Sequence, residues 1–352
     1  MAVHAQDFAL VVGLNHYPYY SDGKDLKGAI DDASKFADWL KDQHSGGGLP
    51  PANCKLVVST NNPLTPDVGQ IEQALLEIWR DATAIGGGRR FYLFFSGHGH
   101  SFDPAEEQLP DVALCLPLWS RELPNKSISA NHLRGWVQRC MPFDEIVMFF
   151  DCCRSRMLKS RAQNTAGGCA VARPGFDNIK ILSIFAAEHE QKAFESPQSD
   201  DVDARGYFTT ALLAGLKGAA APTGGDITHL ALWDYLKAEV PRLAKQDGRQ
   251  QEPRLGLQLP ADELLFGTHL PSGPVGGEVA TPANFEIRFN EWRAGTVRLL
   301  DTDGNVVRQD VVSSGPWPVT VRYELHLLED IQTGETMSFN FRPGMEGKHV
   351  TF

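Results

Sequence analysis

Two stretches constrain this chain more than any others, Phe91–His100 (FYLFFSGHGH) and Glu145–Arg156 (EIVMFFDCCRSR). Each is a short apolar run that stops abruptly at a polar cluster. The first stops at Ser96-Gly97-His98-Gly99, the second at Asp151-Cys152-Cys153. Runs of this length, apolar on both faces, read as buried strands of a parallel sheet. In open α/β sheets, chemistry collects just beyond the carboxyl ends of the strands. Neighbouring strands of this kind set a histidine beside a cysteine at one sheet edge, which is what a cysteine nucleophile needs.

The rest of the first 268 residues reads as an α/β layered unit built on a mainly parallel sheet flanked by helices. Phe8–Leu14, Lys55–Ser59, Ala113–Leu116 and Lys180–Phe185 read as further strands. Leu26–Leu40, Gln70–Asp81, Asn131–Arg139, Tyr207–Leu216 and Leu230–Leu243 carry helical spacing. Residues 154–175 are basic and lack periodicity, so they read as a long mobile loop. Residues 269–278 hold Pro-Ser-Gly-Pro-Val-Gly-Gly, which is linker chemistry. Residues 279–352 carry short alternating runs between turns, the pattern of a small all-β, sandwich-like module.

Composition narrows the partners. A net charge of −11 lacks the basic excess of a nucleic-acid binder, so no nucleic acid is expected. No apolar run approaches the ~18 residues of a membrane span, and the N-terminus shows no secretory pattern; a cytoplasmic location is expected. The six cysteines show no framework spacing, so reduced thiols are expected.

A cysteine peptidase needs a thiolate, an imidazole within reach, and donors for the oxyanion. Cys153 supplies the sulfur. His98 lowers the thiol pKa as imidazolium and protonates the leaving amine. The backbone N–H groups of Gly99 and Cys153 are the candidate oxyanion donors, glycine letting a backbone come close to substrate. Cys152 is expected to pack beneath the site. His16 and His100 read as loop or rim residues, Asp31 as a solvated helix residue, and Glu188 and Glu195 as either cleft or surface residues. A zinc site from His98, His100, Cys152 and Cys153 does not match structural zinc spacing, so no metal is expected.

These segments together resemble a caspase-like cysteine peptidase of the metacaspase and bacterial orthocaspase type, over about residues 7–260. Val12-Gly13-Leu14-Asn15-His16-Tyr17 resembles the first-strand pattern, and Leu26–Ala33 the first-helix pattern. Ser96-Gly97-His98-Gly99 matches the histidine motif, and Asp151-Cys152-Cys153 the Asp-x-Cys motif. The separation of His98 from Cys153 is close to the roughly 50 residues of caspase-type proteases. Ser183–Glu195, Gly206-Tyr207-Phe208-Thr209 and Gln251-Glu252-Pro253 resemble the small-subunit half.

The resemblance implies an endopeptidase with an acidic pocket formed by Asp32 and Asp151, with Ser96 beside them. Ala29 stands where some relatives carry a cysteine. Two carboxylates accept a guanidinium bidentately, so cleavage is expected after Arg, and also Lys, in a protein or peptide substrate. The resemblance places an intersubunit linker after the nucleophile, which makes Arg154, Arg156, Lys159, Arg161 and Arg173 the candidate self-cleavage positions. Two departures stand out. Arg154-Ser155-Arg156 replaces the usual His-Ser-Gly, and Asp103–Asp111 carries only scattered acids where an aspartate-rich calcium segment is expected. No cofactor is therefore expected, calcium included. Bacterial relatives of this type occur in stress, death and defence systems. The competing readings are an adaptor that binds partners without catalysis, with the β module as a regulatory docking surface, and a cysteine hydrolase acting on another bond.

Overall fold

The computed structural model describes residues 4–20, 25–102, 111–155, 172–196, 204–221, 226–259, 264–268, 285–290, 293, 295–300, 306–312, 316–319, 321, 325–342, 345 and 347–352. Its elements run, in order, β1 (Asp7–Gly13), α1 (Ala29–Lys41), β2 (Cys54–Val58), β3 (Thr60–Asn61), β4 (Leu64–Thr65), α2 (Val68–Ala84), β5 (Gly88–Ser96), β6 (Gly99–Phe102), β7 (Asp111–Cys115), β8 (Ser127–Ser129), α3 (Ala130–Cys140) and β9 (Phe143–Asp151). They continue with β10 (Lys180–Phe185), α4 (Tyr207–Ala214), β11 (Asp226–Thr228), α5 (His229–Gln246), β12 (Arg254–Leu259) and β13 (Leu265–Thr268). The smaller unit carries β14 (Phe285–Arg288), β15 (Gly295–Leu300), β16 (Val306–Val312), β17 (Trp317–Val319), β18 (Leu325–Asp330), β19 (Thr336–Asn340) and β20 (His349–Thr351).

The main sheet has the order β12-β10-β9-β5-β1-β2 and is parallel except for β12. Its strands alternate between two cores because side chains alternate across a pleated strand. Phe8, Leu10 and Val12 of β1 join Phe91, Leu93 and Phe95 of β5 and Ile146, Met148 and Phe150 of β9 in a core closed by α2 and α3. Ala9, Val11, Tyr92, Phe94, Val147 and Phe149 point the other way, into a core closed by α1, α4 and α5. Burial on both faces explains why these strands read as continuous apolar runs. From β1 the chain passes to β2 on one side and later to β5 on the other, so the strand order reverses between β1 and β5. Ligands of open sheets bind at the carboxyl ends beside such a reversal. In register, Gly13 faces Ser96 and Ser96 faces Asp151, so three strands end level there.

Local chemistry sets the helix starts. Asp67 and Gln70 form a capping box on α2, and Ser129 and Thr228 cap α3 and α5. By contrast, α1 and α4 begin at Gly28 and Gly206, which offer no side-chain cap. The groups that replace those caps come from other parts of the chain and belong to the candidate site.

The strand β6 and its partners β7 and β8 form a small antiparallel sheet that the sequence pattern only partly reveals, through Ala113–Leu116. Within the smaller unit, β17-β14-β20 and β16-β15-β18-β19 contribute to one core that includes Phe285, Trp317, Val297, Leu328 and Phe339. No helix among the described residues is long and apolar enough to cross a membrane.

Candidate active site

The candidate site is assembled where β5, β9 and the start of β6 meet. After Ser96, the Gly97 N–H donates to the Asp151 carbonyl at 3.2 Å, holding the two strand ends together beyond their regular pairing. The chain then turns at His98 into β6. A Cβ on Gly99 would lie 2.8 Å from Cys152 Sγ and 2.9 Å from the Cys153 carbonyl oxygen. Only a residue without a side chain lets β6 pack directly on Cys152-Cys153, so glycine is required here for packing. The contact continues down the strand, with Ser101 N–H donating to Ser155 O at 3.0 Å and Ser101 Oγ to Arg154 O at 2.7 Å.

His98 is held by aromatic groups. Its ring stacks on Tyr20 with centroids 4.0 Å apart and packs against Tyr17 at 4.6 Å. Its backbone N–H donates to Tyr17 Oη at 3.0 Å, and Tyr17 Oη donates to the Cys115 carbonyl at 3.2 Å. Tyr17 is fully buried, and burial pushes its hydroxyl well above the ordinary range, so it acts as a neutral bridge. Tyr20 and Trp119 extend the aromatic wall. These rings are the part of the site that sequence reasoning missed. Tyr17 lies in the segment Val12–Tyr17 that resembles the first-strand pattern, but nothing in its spacing shows that it reaches His98.

Cys153 and Cys152 differ sharply. Cys153 is partly exposed and donates its thiol to the Ala193 carbonyl at 3.3 Å. Burial pushes the Cys153 thiol up; a backbone hydrogen bond at Ala193 and the charge of Lys192 pull it down, and the charges of Asp151 and Glu195 push it up. Cys152 lies inside the core beneath, its thiol pushed well up by burial.

The acidic residues form a second cluster on the other side of Asp151. Asp32 and Asp151 are both buried, and Ser96 is buried at the neighbouring strand end. Asp151 Oδ2 accepts from Thr209 N–H at 3.1 Å and from Thr209 Oγ1 at 2.6 Å. Asp32 Oδ2 accepts from Gly206 N–H at 2.9 Å. The two carboxylates thus supply the cap that Gly206 cannot give α4, and they lie at the positive end of that helix. Gly206 itself is sterically required, since a Cβ there would lie 2.3 Å from Asp151 Oδ2 and 3.0 Å from Asp32 Oδ2.

At the start of α1 Asn15 Oδ1 accepts from Ile30 N–H at 3.0 Å, and Glu195 binds just ahead of it. Its carboxylate accepts from Gly28 N–H at 2.9 Å and Lys27 N–H at 3.2 Å. Burial raises both aspartic acids, Asp32 further through the nearby Asp151 charge and Asp151 to about 6. Arg205 brings a guanidinium to this cluster, its Nε 3.7 Å from Asp32 Oδ1.

Several expectations change with the structure. His100 is no rim residue; it is buried in β6, 3.4 Å from Cys115 Sγ, and burial holds its pKa down to about 4. His16 does sit in a loop, 3.0 Å from Asp25, and Asp31 pairs with Lys35 on the helix surface. Arg154 does not suit a self-cleavage position. It is buried, its N–H donates to Gln191 O, and its carbonyl accepts from Glu190 N–H and Ser101 Oγ, so a protease cannot grip that backbone. Arg154 and Ser155 are therefore fixed members of the site, whereas the expected mobile loop begins there. Arg173 is half-buried, with its N–H on the Arg139 carbonyl. Arg156, Lys159 and Arg161 lie outside the described residues, as does the linker at 269–278. Cys140 is disulfide-bonded, which corrects the expectation of reduced thiols throughout; Cys54, Cys115, Cys152 and Cys153 are free.

A parallel sheet whose central strands end in Ser-Gly-His-Gly and Asp-Cys-Cys defines a caspase-type cysteine peptidase domain. Residues 6–262 match the family model of the caspase domain, and the chain belongs to that family. It is 30% identical over 284 residues to a probable protease of a Desulfuromonadales bacterium, an alignment covering 71% of this chain. The chain spans about a third of that relative's length, 32%. Solved structures similar to it include a protein of Geobacter sulfurreducens, with TM-score 0.44, 18% identity, and coverage of 73% of this chain and 95% of that one. The structure of pro-sf-caspase-1 is similar at TM-score 0.44 and 15% identity, covering 76% and 93% of the two chains.

Proposed function

We propose that the chain is an endopeptidase of the metacaspase or orthocaspase type that cleaves proteins after Arg, and after Lys, through Cys153 and His98. The observation that carries this reading is the packing of Gly99 directly on Cys152-Cys153, which brings the residue after His98 onto the nucleophile's own peptide unit. In the proposed reaction the thiol proton passes to His98, and Cys153 Sγ bonds to the scissile carbonyl carbon. The oxyanion is received by the N–H groups of Gly99 and Cys153. His98 returns the proton to the leaving amine, and water, deprotonated by His98, releases the acyl group. Thiol and imidazole supply nucleophile and proton carrier without a metal, so turnover is proposed to persist in a chelator.

The preference for basic residues is favoured by the Arg205 guanidinium beside Asp32, since the cluster of Asp32, Asp151 and Ser96 already holds one such group. A substrate guanidinium would take the acceptor positions that α4 leaves over. Self-processing, in this reading, falls at Arg156, Lys159, Arg161 or Arg173. The β module is proposed as the docking surface for a regulatory protein, and stress or defence signalling in the cytoplasm as the setting.

The test is a pair of fluorogenic peptides ending in Arg or Asp, with an arginine-directed covalent label. Turnover of the Arg peptide, with labelling lost in Cys153→Ala, is expected. Turnover of the Asp peptide alone overturns the specificity, and no labelling under any condition moves the reading to a non-catalytic adaptor.

A further inference from the structure

On the α3 side of the same strand ends lies a cavity of about 270 Å³ that takes no part in the chemistry above. Its walls carry the guanidinium-bearing residues Arg134, Arg154 and Arg254, with His189 and Ser183 beside them. Arg154 is more than nine-tenths buried, and its Nε is enclosed with no acceptor among the described residues. Arg134 Nε and His189 Nε2 are enclosed in the same way. Burying donors without acceptors is costly, and burying cations together costs more. The facing acids do not remove that cost. Asp111 is engaged by Val112 N–H, Asn131 N–H and Ser129 Oγ at the start of α3, and Glu188 pairs with Arg254 at 3.0 Å. Glu190 lies 4.0 Å from His189.

We propose that this cavity binds a small phosphate-bearing molecule, with its phosphate held by Arg134, Arg154 and Arg254. A phosphate presents several oxygens in different directions, which suits donors arriving from α3, from the nucleophile segment and from β12 at once; a carboxylate offers a single plane. The remaining wall is aromatic. Phe150 and Phe185 stack at 4.8 Å, and the Arg154 guanidinium lies 4.7 Å from the Phe185 ring. That wall suits the apolar part of a phosphate ester.

The site is coupled to the candidate nucleophile by one peptide bond. Arg154 follows Cys153, and its backbone is tied to Gln191, Glu190 and Ser101. A ligand that fixes the Arg154 side chain also fixes the segment presenting Cys153, so occupancy sets turnover. This coupling rests on reading Cys153 as the nucleophile; the binding itself does not.

The test is calorimetric titration of the full chain with inorganic phosphate, pyrophosphate and adenosine monophosphate at constant ionic strength, with acetate as the carboxylate control. Saturable binding of a phosphate probe is expected, weakened at least tenfold in both Arg134→Gln and Arg254→Gln and unchanged in Arg80→Gln, on the exposed face of α2. Arginine-peptide turnover is expected to change threefold or more at saturation in the wild type and not in Arg134→Gln. No saturable binding of any probe, equal binding by the arginine variants, or acetate binding as tightly as phosphate overturns the site. Saturable binding without a change in turnover overturns the coupling while leaving the site, and a protein that binds but never turns over peptide overturns the peptidase reading alone.

Discussion

Two charged clusters flank Cys153, one begun by Asp151 two residues before it and the other by Arg154 immediately after. In the acidic cluster the protein answers most of its own charges, leaving buried Asp32 Oδ1 and Arg205 Nε without a hydrogen bond among the described residues. Thr209, Gly206, Lys27 and Gly28 donate to Asp151, Asp32 and Glu195, and Arg205 adds a cation. In the basic cluster, Arg154 Nη1 donates to the Ala187 carbonyl at 3.4 Å, but the buried Nε atoms of Arg134 and Arg154 find no acceptor among the described residues. The difference teaches that the acids serve the fold directly, holding the starts of helices that begin at glycine, whereas the arginine Nε atoms have no such partner in the fold. The five residues from Asp151 to Ser155 link the two clusters.

The largest effect is expected at the residue between the clusters. Cys153→Ala should lower arginine-peptide turnover by about 10³-fold or more, with the melting temperature little changed. Cys152→Ala, in contrast, should act on stability, costing about 1–2 kcal/mol as a small core truncation while keeping turnover within about tenfold. If the two phenotypes were exchanged, the assignment of the nucleophile would be wrong.

Next is the floor of the acidic cluster. Gly206→Ala places a methyl group 2.3 Å from Asp151 Oδ2. It should destabilise by about 2–4 kcal/mol in chemical denaturation, because neither the helix start nor a buried carboxylate can easily give way. A neutral result would mean that the two acids do not clasp α4.

The pH dependence separates the acids from the rest. Asp151 is raised to about 6, above the ordinary carboxyl value of 3.8. The folded state therefore holds a proton that the unfolded chain releases, and this contribution to stability is lost as pH rises from near 4 through about 6. His100, held down to about 4, slopes the opposite way, contributing stability that is lost as pH falls. The carboxyl term is therefore read as the difference between wild type and Asp151→Asn across pH 4–7. Parallel curves for the two proteins would contradict the raised carboxyl.

The smallest effects set the sign of the comparison. Thr209→Val removes the hydroxyl 2.6 Å from Asp151 Oδ2. It should cost about 1–2 kcal/mol at neutral pH. Arg134→Gln removes a cation with an unanswered Nε and should, without ligand, leave stability unchanged or raise it by about 0.5–1 kcal/mol. Equivalent losses in both variants would show that the basic cluster is as well satisfied as the acidic one.

Much of this arrangement was legible before any coordinates. The doubly apolar strands could only be buried in a layered sheet, and their polar stops marked the carboxyl edge, because strand burial depends on local pattern. Lys180–Phe185 coincides with an observed strand, and the helix over Gln70–Asp81 only lengthens at both ends. The small sheet containing β6 was harder to read, since Gly99–Phe102 is short and its partners are distant in sequence. The exposure of His100 was misjudged for the same reason.

By itself, then, the sequence determined the strand ends, the pairing of a histidine motif with a cysteine motif, and family membership, because each is carried by a contiguous run of residues. Tertiary structure alone decided what surrounds them: Tyr17 and Tyr20 around His98, Glu195 and Asp151 as caps for helices that begin at glycine, and three arginines from separate elements around one cavity. Those contacts join residues far apart in the chain, and no local propensity records them. A glycine in sequence marks only a missing side chain, and the fold decides that Gly99 leaves room for a cysteine pair and Gly206 for two carboxylates.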